Sequence, residues 1–118
     1  MLLLRFNSLD DAWYSGSVEN GKFDGYGLYK SRGVIYEGDF VHNKKNGKGT
    51  LLYPDGSFEY FGDWNEGVRN GTGIRRYQDG SEYRGEFVNN KKHGHGIEIY
   101  SNKDVYEGEF QNNMRHGK

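Results

Sequence analysis

Apolar and polar positions along this chain alternate in short blocks that return about every 23 residues. Each block opens on a Tyr two residues before a Gly: Tyr14/Gly16, Tyr36/Gly38, Tyr60/Gly62, Tyr83/Gly85 and Tyr106/Gly108, with Gly-to-Gly steps of 22, 24, 23 and 23. Two residues after each of these glycines stands an apolar side chain, Val18, Phe40, Trp64, Phe87 or Phe110. Nine residues after it comes a second Gly (Gly25, Gly47, Gly71, Gly94, Gly117), and four blocks add a third at Gly27, Gly49, Gly73 and Gly96. A fixed period of this length is the mark of a repeat architecture, in which each unit buries its apolar face only against its neighbours.

The blocks convert into geometry. Side chains alternate across a strand, so Tyr-x-Gly-x-Phe puts both rings and the Gly on one face. The intervening Glu37 and Asp39, Arg84 and Glu86, Glu107 and Glu109 then read as a solvated face. The small Gly between two rings leaves a slot for a neighbouring ring or a partner. Gly21, Asn43, Gly67, Asn90 and Asn113, five residues on, are residue types that tolerate positive φ, and they predict a tight reversal there. A second strand follows, as in Gly73–Tyr77 and Gly96–Tyr100, and Asp55-Gly56-Ser57 and Asp79-Gly80-Ser81 supply turn chemistry between units. The unit is a β-hairpin. Leu51, Leu52, Ile74, Ile97 and Ile99 on the second strands are expected to complete the packing.

This pattern resembles the MORN (membrane occupation and recognition nexus) repeat, whose opening Tyr-Glu-Gly-Glu-Phe stands here as Tyr106–Phe110. The resemblance covers residues 13 to 118. It implies an all-β fold, an elongated, twisted, single-layer antiparallel sheet of stacked hairpins with a groove along one face. Residues 1–12 read as an N-terminal strand or half-repeat cap, followed by repeats at about 13–35, 36–58, 59–82 and 83–105 and a half repeat at 106–118. Nine or so strands at about 4.8 Å each predict a rod roughly 40 Å long. Three departures are visible: Ser15, Ser17 and Val18 in the first repeat, an extra residue in Phe58-Glu59-Tyr60-Phe61 that predicts a bulge, and Asn102-Lys103-Asp104 in place of Asp-Gly. At the ends, Leu2–Phe6 reads as the second strand of a preceding hairpin, Asn7 to Asp11 as the connection after it, and Gln111 to Lys118 stops as a second strand begins. A fragment of a longer array and head-to-tail self-association are both expected to produce such ends.

Composition sharpens the picture. Only 33% of residues are hydrophobic and 28% are charged, a balance that alone suits disorder, yet 16% are aromatic, including 10 Tyr and 7 Phe. A thin fold held by flat rings reconciles the two. Net charge is −1, so no global field drives the chain onto nucleic acid, and no nucleic-acid partner is expected. There is no Cys, which removes disulfides, thiolate metal sites and cysteine nucleophiles and suits a reducing compartment. No stretch reaches the roughly 18 apolar residues of a membrane-spanning helix, and Met1–Leu4 is too short for a signal peptide. A cytoplasmic location is expected, at cytoskeletal structures or the cytoplasmic face of a membrane.

Catalytic chemistry finds little support. His42, His93, His95 and His116 are the only imidazoles, and His93 and His95, two apart, lack a placed third ligand, so they read as solvated turn residues and not as a metal site. The serines have no paired base, the carboxylates follow the repeat register, and Gly-x-Gly is not followed by a helix. No catalytic residue, cofactor or metal is expected, and the chain reads as a non-enzyme. Two binding surfaces remain. Tyr36, Phe40, Tyr60, Trp64, Tyr83, Phe87, Tyr106 and Phe110 form an aromatic groove, which a single layer should leave partly uncovered for an extended or helical segment of another protein. Lys44, Lys45, Lys48, Arg69, Lys91, Lys92 and Arg115 recur after each turn and read as an anion rail for phosphoinositide-type lipids. The resemblance implies a non-catalytic scaffold or adaptor. The alternatives are an anionic-lipid tether and an accessory or regulatory segment of a larger enzyme.

Overall fold

The computed structural model describes residues 2–7 and 12–116, with side chains from Ala12 onward. Eleven strands form one antiparallel sheet in strict sequence order: β1 (Leu2–Asn7), β2 (Ala12–Glu19), β3 (Lys22–Ser31), β4 (Val34–Val41), β5 (Lys44–Leu52), β6 (Phe58–Asn65), β7 (Val68–Arg76), β8 (Glu82–Val88), β9 (Lys91–Ile99), β10 (Val105–Gln111) and β11 (Met114–His116). Every strand pairs with its neighbours in the chain, so among the described residues there is no crossover and no second layer. The molecule measures 48 × 26 × 19 Å. Its longest dimension exceeds the expected 40 Å because short pairings at both ends, Leu2↔Gly16 and Phe110↔Arg115 among them, extend the sheet to eleven strands. Ser8 to Asp11, most of the expected connection, and Gly117 lie outside the described residues.

The turns explain the regularity. Within each hairpin two successive residues take positive φ: Asn20/Gly21, His42/Asn43, Glu66/Gly67, Asn89/Asn90 and Asn112/Asn113. Positive φ at both central positions is the two-residue turn whose twist matches that of the strands it joins. Asn43 does more than turn. Its backbone N–H donates to the Phe23 carbonyl at 2.9 Å, and its side-chain Oδ1 accepts from the Phe23 N–H at 2.8 Å, locking one hairpin to the one before. Asn90 brackets Arg69 and Asn113 brackets Lys92 in the same way. At Gly67 only the backbone half of the bracket exists, a 2.9 Å bond to the Lys45 carbonyl.

Nine glycines form one unbroken row across the sheet, pairing in turn as Gly16, Gly27, Gly38, Gly49, Gly62, Gly73, Gly85, Gly96 and Gly108. Tyr14, Tyr36, Tyr60 and Tyr83, each two residues before a first-strand Gly, lie down over this row. A Cβ built on Gly73 would stand 2.3 Å from the Tyr60 hydroxyl oxygen and 2.5 Å from two carbons of its ring, so no larger residue fits. The slot expected between the rings is therefore filled by the repeat's own tyrosine. The phenol also reaches a buried acceptor: Tyr36 donates to the Asp39 carbonyl at 2.8 Å, Tyr60 to Asp63 at 2.8 Å and Tyr83 to Glu86 at 2.9 Å. Lying flat buries the ring, and the hydrogen bond removes the penalty of burying a hydroxyl.

Two sequence departures resolve simply. The extra residue of the second repeat is the bulge at Glu59, where Leu51↔Tyr60 and Leu52↔Phe58 skip one position. Asn102-Lys103-Asp104 keeps the loop of its counterparts: Asn102 Oδ1 accepts from the Asp104 N–H as Asp55 does from Ser57, and Lys103 adopts the φ of 79° that Gly56 and Gly80 hold at 92°. One expectation is corrected. Of the second-strand aliphatics only Leu51 packs against the rings; Leu52, Ile74, Ile97 and Ile99 sit half-buried on the opposite face, because register pairs them with Phe58, Phe61, Arg84 and Glu82.

Gly67→Asn is expected to complete the missing bracket, since a Cβ there meets nothing and Asn accepts positive φ. The gain should be about 1 kcal/mol, measured by urea unfolding, with Asn90→Gly losing a similar amount. Lys103→Gly should stabilise by a further ~1 kcal/mol through relief of the left-handed backbone.

Candidate functional site

Register decides what covers the rings. Across each hairpin the Val, Phe or Trp two residues past the first-strand Gly pairs with one residue of the second strand: Val18↔Phe23, Phe40↔Lys45, Trp64↔Arg69, Phe87↔Lys92 and Phe110↔Arg115. Cross-strand partners share a face, so a ring, two lysines and two arginines are delivered directly onto the aromatic ladder. Phe23 stacks on Tyr14 with centroids 3.8 Å apart and planes 6° apart. The Lys45 ammonium lies 5.5 and 5.4 Å from the centroids of Tyr36 and Trp64, Arg69 lies 5.5 Å over Tyr60, Lys92 lies 5.5 Å over Tyr83, and Arg115 lies 5.1 Å over Tyr106. The long stems cover apolar surface while the charge sits on the electron-rich ring face.

The ladder beneath is a herringbone. Phe40, Trp64, Phe87 and Phe110 each stand edge-on between the tyrosine of their own repeat and that of the repeat before, with centroids 5.0–5.5 Å apart and planes 80–89° apart. Trp64 adds a bond from its Nε1 to the Gly49 carbonyl at 3.1 Å, across to the neighbouring hairpin. This corrects the open aromatic groove. Tyr36, Phe40, Tyr60, Trp64, Tyr83, Phe87 and Phe110 are at most 5% exposed and constitute the core; of the eight only Tyr106 is half-buried. A single layer does seal its own rings, because the cationic stems of the same hairpins fold over them.

The cationic stripe is corrected too. Strand alternation places Lys45, Arg69, Lys92 and Arg115 on the ring face and Lys44, Lys48 and Lys91 on the other, so they form no continuous rail. Several stand beside carboxylates. Lys44 faces Glu66 at 3.8 Å, Lys48 faces Asp63 at 2.5 Å, and Lys92 donates to Glu98 at 2.9 Å.

What the ring face offers a ligand is the cover itself. A cleft of about 510 Å³ opens over the first two hairpins, lined by Phe23, Tyr29, Phe40 and Lys45 together with the turn residues Asn43 and Gly67. Beyond it runs the row that pairs with the tyrosines from the second strands: Tyr29, Leu51, Arg75 and Glu98. Arg75 lies 4.8 Å over Tyr77, and Glu59, lifted by its bulge, stands 3.7 Å from both Arg69 and Arg75. Burial lowers the pKa of Lys45, and the positive charge of Arg69 lowers it further; burial and then Arg75 lower that of Arg69. Phe23, Tyr29, Glu59, Arg75, Tyr77 and Glu98 escaped sequence reasoning. Counting five residues on from each Phe or Trp, and pairing the strands through the Gly row, would have found most of them.

Elsewhere, His95 faces Glu107 and Glu109 at 3.4 Å each, and hydrogen bonds to Glu107 first and Glu109 next hold its pKa above the ordinary value. Among the described residues no group of three or more His, Asp or Glu side chains is placed to hold a metal ion.

The family model of the MORN repeat matches residues 14–32, 36–58, 60–82, 83–105 and 106–118. No curated protein matches the chain. Repeats of this kind are generally protein- or membrane-interaction modules and typically non-catalytic.

Two outcomes follow from sealed rings. Trp64→Ala should lower folding stability by about 3–5 kcal/mol in denaturant unfolding. Burial first, and the carboxylates of Asp39, Asp63 and Glu86 next, raise the pKa of Tyr36, Tyr60 and Tyr83, the last to about 12. A raised folded-state pKa means stability is fully present below the ordinary value of 10.0 and is lost as pH climbs towards 12. Absorbance near 295 nm should show these phenols ionising only together with alkaline unfolding.

Proposed function

The chain belongs to the MORN-repeat family, and on that premise we propose that it is a non-catalytic adaptor that receives an extended or helical segment of another protein along its ring face. The observation that carries this reading is the cleft over the first two hairpins, on a ring cluster against which the half-buried Leu51, Tyr77 and Tyr106 also pack. Apolar surface with a few placed charges is the usual composition of a recognition site. The anchors are no longer the buried ladder rings but the side chains above them, Phe23, Tyr29, Lys45, Leu51 and Tyr77, together with the half-buried ladder ring Tyr106. Backbone groups of the interior strands are already paired within the sheet, so side chains and not strand addition would hold the segment. A lipid tether is less well supported, since the rail divides between two faces and Lys44, Lys48 and Lys92 stand beside carboxylates.

A photo-crosslinking residue placed at Tyr29 or Tyr77 should capture the partner protein. The same residue at Tyr26 or Phe61, both about half exposed on the opposite face, should not. Capture from Tyr26 and Phe61 alone would move the binding surface to the other side of the sheet and end this proposal.

A further inference from the structure

At one register position beside the rings the repeats differ in charge. The residue pairing with the repeat's tyrosine from the second strand is Leu51 opposite Tyr36, Arg75 opposite Tyr60 and Glu98 opposite Tyr83. The residue covering the rings is Lys45, Arg69 and Lys92 in the same three hairpins. In the fourth hairpin these two positions satisfy each other: Lys92 donates to Glu98 at 2.9 Å, with the side chains only 12% and 13% exposed. The fold thus contains a half-buried place for a carboxylate beside the covering cation.

In the third hairpin that place holds a second cation. Arg69 and Arg75 share a single carboxylate, Glu59, at 3.7 Å from each, beyond hydrogen-bond reach. The Nε–H groups of both arginines are buried without a hydrogen-bond partner. In the second hairpin the place holds Leu51, and Lys45 makes no ion pair among the described residues. Two arginines therefore share one acid with two buried donors unanswered, and Lys45, close enough to feel the charge of Arg69, has no acid of its own among the described residues. Buried donors are almost always paired, so an unpaired set marks a group that is missing.

We propose that Lys45, Arg69 and Arg75 form a receptor for a carboxylate side chain of the bound segment, so that the partner is acidic where it crosses the third hairpin. This rests on the ring-face reading above and names the chemistry of its ligand. A guanidinium presents two parallel N–H bonds to a carboxylate, and the chain's own Glu98 shows an acid seated in the equivalent place one repeat away. A peptide is favoured over a membrane because the site is recessed, with Arg69 13% and Arg75 26% exposed. The exposed Lys44 and Lys48 that would support a lipid surface lie on the opposite face, already paired.

The probe is a blocked peptide alternating valine and glutamate, compared with its glutamine counterpart, inorganic phosphate, and vesicles with and without phosphatidylserine. Binding is followed by the NMR signals of the Arg69 and Arg75 Nε–H groups. The glutamate peptide should shift both signals and bind about tenfold or more tightly than the glutamine peptide. Arg75→Gln should weaken it by about tenfold, whereas Glu59→Gln, which removes the competing acid, should tighten it by about threefold or more. Loss of folding cannot produce both signs. Lys91→Gln, on the opposite face, should leave binding unchanged. Equal binding of the two peptides on the ring face would overturn the carboxylate receptor and leave the adaptor reading intact. Binding only to phosphatidylserine vesicles, or only of phosphate, would overturn it in favour of a lipid or phosphate site. Shifts confined to other residues would remove the site from this face.

Discussion

A phenol laid flat on glycine is the contact from which the rest of this molecule follows. The ring of Tyr60 needs Gly62 and Gly73 bare beneath it, and its hydroxyl needs the Asp63 carbonyl three residues on. Both demands are met inside one hairpin. The edge-on partner is not: Trp64 touches Tyr60 and also Tyr36 of the hairpin before. Local satisfaction of the tyrosine and shared ownership of the Phe or Trp make each unit both self-ordering and dependent on its neighbour. Edge-to-face pairs contribute about 0.5–1.5 kcal/mol each beyond burial, so the herringbone alone is a substantial part of a small domain's stability.

A single sheet has no second layer to exclude water from its apolar face. Here the cover is made of the cationic stems on the return strand of the same hairpin. Lysine and arginine suit this role because their methylenes shield the rings while the charged end stays near water or over a π face. The low aliphatic content and the high charge are thus two aspects of one design: the layer that would be leucine in a sandwich is Lys45, Arg69, Lys92 and Arg115 here.

The repeat period, the hairpin unit, the turn positions and the face assignment were legible in the sequence, because each rests on local chemistry of Tyr, Gly and Asn at fixed spacing. So was the bulge before Tyr60. The sealing of the rings was not, since it depends on which second-strand residue pairs with Phe40 or Trp64, and register across the hairpin is displaced there: Gly38↔Gly49 is followed by Phe40↔Lys45. Those irregularities sit at Gly47, Gly71 and Gly94, all at positive φ. Their acid neighbours are structural as well as solvated: Asp63 Oδ2 accepts from the Thr72 N–H at 2.9 Å. Charge pairing was equally hidden, because Lys44 and Lys45 are adjacent in sequence yet point to opposite faces.

Repeats separate constraint from information. Where every unit needs the same residue, as at the glycine row, the position serves the fold and has no freedom to encode a partner. Where the units differ while the backbone does not, the side chain is answerable to something else. The Tyr29, Leu51, Arg75, Glu98 series is such a position: equivalent sites on one face, of which the last three carry an aliphatic, a cation and an acid. Packing alone would favour the same choice three times, as it did for the tyrosines opposite. Along the ring face this writes an order of apolar, positive and negative contacts spaced one hairpin apart. Since neighbouring strands are about 4.8 Å apart, that is close to 10 Å, or roughly three residues of an extended chain. A segment reading the series in order would need an apolar residue, then an acid, then a residue that tolerates the closed Lys92–Glu98 pair.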